Sequence, residues 1–133
     1  MRRALLAVAL LMLAAFGCSK KSSDGGVRLK QVNDAFVAAG FKLDSFHPAD
    51  PDKLSAQKCV QGLLDGVDTL VCEYGSAEAV ALGKKAGEEW VAQATTGAVL
   101  TNGNSLLAVA DRTRTDPNGK TIHKITQAFT KTH

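Results

Sequence analysis

Apolar residues along the chain alternate between a helical and a strand period. From Val27 to Ala39, Leu29, Val32 and Phe36 recur on one helical face, and Gly40 supplies a C-terminal stop. Phe41 to Phe46 reads as a strand. His47-Pro48-Ala49-Asp50-Pro51-Asp52 reads as a loop, because each proline restricts itself and the residue before it. From about Ala56 to Tyr74, two apolar runs flank Asp65-Gly66, a pair suited to a type I′ turn in which both central residues take positive φ.

Centring a hairpin on that turn fixes its register. Leu64 then faces Val67, Leu63 faces Asp68, Gln61 faces Leu70, Cys59 faces Cys72 and Lys58 faces Glu73. Alternation outward from the turn puts Cys59 and Cys72 in a non-hydrogen-bonded pair, with Cα atoms about 4.5 Å apart. That separation is at the short end of what a disulfide tolerates. Closing the loop between them would contribute on the order of 3 kcal/mol. A redox or metal-binding pair is the competing reading, but the spacing is not Cys-x-x-Cys and no histidine is near.

Further along, Ser76 is placed to cap a helix running to about Gln93, with Glu78 in its first turn, where the helix dipole favours negative charge. Val80, Gly83, Gly87, Trp90 and Val91 form one stripe, and two glycines on it point to close approach to a sheet. Asn102-Gly103 predicts a second hairpin, between Ala98–Thr101 and Asn104–Asp111. Asp116-Pro117 would cap and start a last helix, with Ile122, Ile125 and Phe129 inward. The expected fold is α+β: a largely antiparallel sheet of four or five strands built from two hairpins, with about three helices mainly on one face. The helix between the hairpins leaves room for a parallel pairing.

The N-terminus differs in kind. Met1-Arg2-Arg3 is basic, and Ala4 to Phe16 contain no polar residue. Such a run suits a signal h-region and is short of the ~20 residues a membrane-spanning helix needs. It ends in Ala14-Ala15-Phe16-Gly17-Cys18, which resembles the lipobox of bacterial lipoproteins. The resemblance covers only this start of the chain. It implies a signal peptide over 1–17, removal of that peptide, and diacylglycerol on Cys18. Ala15 and Phe16 depart from the commonest residues of the motif. Ser19 after the cysteine resembles the outer-membrane sorting pattern rather than inner-membrane retention. Residues 18–26, with Ser19-Lys20-Lys21-Ser22-Ser23-Asp24-Gly25-Gly26, read as a flexible tether, and 27–133 as one globular domain.

Charge and cysteines fit this address. The chain has 16 basic and 13 acidic residues, but Arg2 and Arg3 lie in the signal, which leaves 14 basic against 13 acidic side chains. A near-neutral domain gives no reason to expect nucleic acid as a partner. With Cys18 lipidated, Cys59 and Cys72 are left as a pair in a compartment that permits disulfides.

Candidate chemistry is sparse. His47, Asp50 and Asp52 are possible ligands for a divalent cation, although Pro48 and Pro51 restrict their directions. No serine, cysteine or carboxylate pair has catalytic spacing. Lys120, His123, Lys124 and Lys131 give the last helix a basic side, preceded by Arg112 and Arg114. Trp90 and Tyr74 suit packing positions, or an interface. Both faces of the first hairpin are apolar. One carries Cys59, Leu63, Leu70, Cys72 and Tyr74, and the other Val60, Leu64, Val67 and Val71. Helices on one side alone would leave a patch for a partner. The functional expectation is therefore a membrane-anchored periplasmic lipoprotein, non-enzymatic and without a cofactor, that binds another envelope protein. The alternative is a small-ligand or metal carrier.

Overall fold

The computed structural model describes residues 24–132, so the expected signal peptide over 1–17 and the expected lipidation site Cys18 lie outside the described residues. Helix α1 spans Asp24–Ala38 and strand β1 spans His47–Ala49. A 3-10 turn (Pro51–Leu54) leads to strands β2 (Lys58–Leu64) and β3 (Val67–Glu73). Helix α2 (Ala77–Val91), strands β4 (Thr96–Asn102) and β5 (Ser105–Asp111) and helix α3 (Lys120–Thr130) complete the order. The fold is α+β. Its sheet has five strands in the order β1-β2-β3-β5-β4, and every pairing is antiparallel. The parallel pairing allowed for at the α2 crossover does not occur, because β5 inserts between β3 and β4.

Helices cover both faces. Val60, Leu64, Val67, Val71, Leu107 and Val109 pack against α1 and α3 through Val32, Phe36, Ile125 and Phe129. On the opposite face, Cys59, Leu70, Cys72, Tyr74, Leu106 and Ala108 pack against α2 through Val80. Among the described residues, two of the three helices thus share a face, and the third covers the side that would otherwise form an apolar patch. Among the described residues, the large hydrophobics left exposed are Val37 at 56%, Leu63 at 52% and Leu82 at 70%, one on α1, one on β2 and one on α2. These are scattered single side chains of a kind normal on any surface.

The first hairpin has the expected register, from Leu64↔Val67 to Lys58↔Glu73. Asp65 and Gly66 both take positive φ, 49° and 86°, as a type I′ turn requires. The Cys59–Cys72 disulfide is formed, with a Cα–Cα separation of 4.1 Å.

Elsewhere the boundaries move for identifiable reasons. Phe41–Phe46 is not a strand. Gly40 turns the chain at φ 97°, and Phe41 and Phe46 both meet Phe36 edge-on, with ring centroids 6.4 and 6.2 Å away. Phe46 lies over Gly62 of β2, where a Cβ would come within 2.3 Å of its ring. The pairing segment is instead His47–Ala49, read above as loop. Its Pro48 is tolerable because β1 is an edge strand.

Helix α1 begins at Asp24, inside the stretch read as tether. The second hairpin turns one residue later than expected, at Gly103-Asn104, with Asn102 paired to Ser105. Asn102 ends β4 because its side-chain amide donates to the Phe129 and Thr132 carbonyls at the end of α3. Helix α3 starts at Lys120 rather than at Pro117. Asp116 still serves its N-terminus, accepting from the N–H groups of Thr121 and Ile122 at 3.0 and 2.8 Å.

Candidate binding groove

Close packing of α2 creates a groove beside it. Gly83 lies so near Tyr74 that a Cβ would stand 2.1 Å from the hydroxyl, and a Cβ on Gly87 would stand 3.2 Å from Val99. The two glycines foreseen on the inner stripe thus let the helix sit down on the sheet. The Tyr74 hydroxyl donates to the Leu54 carbonyl at 2.9 Å, which ties β3 to the 3-10 turn. Helix α2 rides over β4 and β5 and reaches the 3-10 turn on its other flank. On the side of α2 away from β4, part of the sheet over β1, β2 and β3 is left open.

The opening is a groove of about 360 Å³ lined by His47, Asp50, Lys53, Gln61, Leu70 and Trp90, among others. Its floor follows from strand register. Leu70 faces Gln61, and Gln61 faces His47, which sets these side chains in one row across β3, β2 and β1. One wall is Trp90 from α2. The other is the β1 strand and the 3-10 turn, with Pro48, Ala49, Asp50, Lys53 and Leu54.

Trp90 is held by a polar chain that leads into the floor. The Arg112 guanidinium sits over the indole, 4.5 Å from its centroid, and donates through Nη2 to the Trp90 carbonyl at 2.8 Å. Its Nε donates to Asp68 Oδ2 at 3.1 Å, and Gln61 Nε2 donates to Asp68 Oδ1 at 3.1 Å. The cation–π contact and the charge-assisted bonds fix ring and amide together.

His47 Nδ1 lies 3.0 Å from the Ser45 carbonyl. A carbonyl only accepts, so this contact favours the Nδ1–H tautomer and leaves Nε2 of the neutral ring as an acceptor. Ser45 Oγ is engaged with β2, accepting from the Leu63 N–H at 2.8 Å and donating to its carbonyl at 3.2 Å. Asp50 caps the 3-10 turn by accepting from the Asp52 N–H at 2.9 Å. His47 and Asp50 line the groove, whereas Asp52 does not. Among the described residues, no three His, Cys, Asp or Glu side chains gather as a metal would require.

The other candidates lie elsewhere. Cys59 and Cys72 are buried in the core under α2 as a disulfide. Lys120, His123, Lys124 and Lys131 are exposed, and Lys124 Nζ rests 4.8 Å from the centroid of Phe41. Burial pushes the Tyr74 phenol up to about 12. At Asp111, burial raises the carboxyl, but the N–H groups of Asp116, Thr115 and Thr113 and the Thr115 hydroxyl outweigh it and hold the group below its ordinary value. That carboxylate organises the turn between β5 and α3.

Sequence reasoning singled out Trp90, His47, Asp50 and Arg112 but did not bring them together, and it missed Gln61, Asp68 and Lys53. The hairpin register held a usable signal. It places Gln61 and Asp68 on one face of adjacent strands, where a diagonal contact is within reach. Compared with known proteins, the chain matches no family model, no curated protein and no solved structure.

Proposed function

We propose that this protein is a lipid-anchored, non-enzymatic binding protein of the bacterial envelope, held at the outer membrane and facing the periplasm, with the groove beside Trp90 as its recognition site. The groove carries the reading. It combines an indole wall and the apolar Leu54 and Leu70 with a fixed amide at Gln61, an imidazole acceptor at His47 and opposite charges on Asp50 and Lys53. Few convergent polar groups on an apolar lining are what small-ligand sites offer. The charges on the rim balance, which favours a neutral or zwitterionic solute with apolar and hydrogen-bonding parts.

A binding role is supported over catalysis by the groove lining, which carries no serine, threonine or cysteine beside the His47 ring, while the Ser45 Oγ two residues away is taken up by the Leu63 backbone. The expectation of an envelope protein as partner rested on the anchor, the lack of catalytic groups and hairpins apolar on both sides, and α2 occupies the face that helices on one side alone would leave open. The small-ligand reading therefore moves ahead of it. The anchor rests on the lipobox-like Ala15-Phe16-Gly17-Cys18.

The test uses Trp90, the one tryptophan, as its own reporter. Amino acids, dipeptides and neutral sugars are titrated while indole emission is followed. A saturable change with one solute class, lost in Gln61→Ala and Lys53→Ala, supports the reading. No change in emission or melting temperature across the panel sinks it.

A further inference from the structure

The two edges of the sheet are unlike. β1 is three residues long and contains Pro48. Short edges and proline are both devices that prevent strands of different molecules from pairing. β4, at the other edge, has seven residues, Thr-Gly-Ala-Val-Leu-Thr-Asn, with no charge and no proline. It carries neither of the residue types by which an exposed edge is commonly blunted.

We infer that β4 is the pairing edge for a second copy of this chain, which joins two sheets across a two-fold axis at Val99. The backbone supports the register. Asn102↔Ser105 closes a two-residue turn, so it is a hydrogen-bonded pair, and alternation leaves the N–H and C=O groups of Gly97, Val99 and Thr101 pointing away from β5. These three positions are symmetric about Val99. In an antiparallel pairing, Gly97 meets the partner's Thr101 and Val99 meets the partner's Val99, each pair exchanging two hydrogen bonds. Ala98, Val99 and Leu100 are only half-buried although they pack on the two cores, and a second sheet would complete their burial.

Helix α2 fits this arrangement. α2 lies over β4 and β5, and strands are spaced about 4.8 Å apart. The two α2 axes would then run about 10 Å apart, a normal packing distance. At 100° per residue, the α2 flank opposite Trp90 presents Ala77, Ala81, Lys84 and Glu88, all exposed. Small alanines allow the approach. Antiparallel helices bring Lys84 to the partner's Glu88, and among the described residues neither forms an ion pair within its own subunit. Shape, charge and backbone thus select the chain itself as occupant (a self-complementary, isologous contact).

The experiment is sedimentation of the full chain carrying Cys18→Ser, with Val99→Cys and Thr101→Pro added singly. The parent is expected to be a dimer. Val99→Cys should cross-link to its own copy on mild oxidation, whereas a Pro48→Cys control at the other edge should not. Thr101→Pro removes an N–H that points away from β5 and should raise the dimer dissociation constant more than about tenfold. Circular dichroism verifies its fold, and the size-conservative Val99→Cys decides the matter if that variant unfolds. A monomeric parent without cross-linking at position 99, or a dimer cross-linked through position 48, would overturn the inference. The solute titration of Trp90 is read separately, so either proposal can fail without the other.

Discussion

Tyr74 shows how one side chain couples burial to pH. Its hydroxyl donates to Leu54 and its ring lies beneath Gly83. Burial raises its pKa from 10.0 to about 12. Because the folded value is the higher one, the stability it contributes is fully present below pH 10.0 and is lost as pH rises from there through about 12. As Tyr74 is the one tyrosine, an ultraviolet titration of tyrosinate should give a single transition near the raised value, and near 10.0 after unfolding. Gly83→Ala should put a methyl into the same ring. We expect a loss of about 1–3 kcal/mol, read as a lower denaturant midpoint. Asp111 has the opposite sign. Its folded pKa is depressed, so its contribution is present above the ordinary value of 3.8 and lost as pH falls through the folded value. Acid unfolding of Asp111→Asn should begin from a lower stability and show a shallower dependence on pH in that range. The glycine stripe was legible in the sequence because periodicity shows which face a residue occupies. The Asp111 turn was not, because its partners are backbone N–H groups whose positions depend on the folded chain.

Strand elements were most legible where a turn and a covalent constraint agree. Asp65-Gly66 admits one tight turn type, and that turn sets the Cys59↔Cys72 pair. Cys59→Ala with Cys72→Ala should cost about 2–4 kcal/mol and lower the melting temperature, with the fold retained by the two cores. Reduction of the native protein should give a similar shift. The second hairpin shows what local rules omit. Asn102-Gly103 is as good a turn pair as Asp65-Gly66, yet Asn102 is drawn into β4 by the carbonyls at the end of α3. The resulting slip of one residue sends Leu107 to the α1 and α3 face, although its counterpart after the first turn, Leu70, faces α2. Phe41–Phe46 fails as a strand for a related reason. Its aromatic residues are apolar because they fill the space around Phe36 and Gly62, not because they alternate on a sheet.

For the molecule as a whole, strands apolar on both sides demanded cover on both sides, and α2 provides it opposite α1 and α3. That cover lies over β4 and β5, so the row of Leu70, Gln61 and His47 across β3, β2 and β1 stays open between Trp90 and the 3-10 turn. A site left beside an element is hard to read from sequence, since it depends on which strands a helix comes to cover in the folded chain. The attachment of the domain belongs to the same scale. Cys18 precedes the start of α1 at Asp24 by six residues, and an extended chain advances at most about 3.6 Å per residue. A lipid on Cys18 would therefore hold the domain within about 20 Å of the bilayer surface. Fractionation of cells should find the wild-type protein with the membranes, and Cys18→Ala, which lacks the thiol for acylation, should shift to the soluble fraction or persist as uncleaved precursor. Wild-type protein in the soluble fraction, with a mass that excludes acyl chains, would remove the anchor from the proposal and leave the groove to be judged by the Trp90 titration alone.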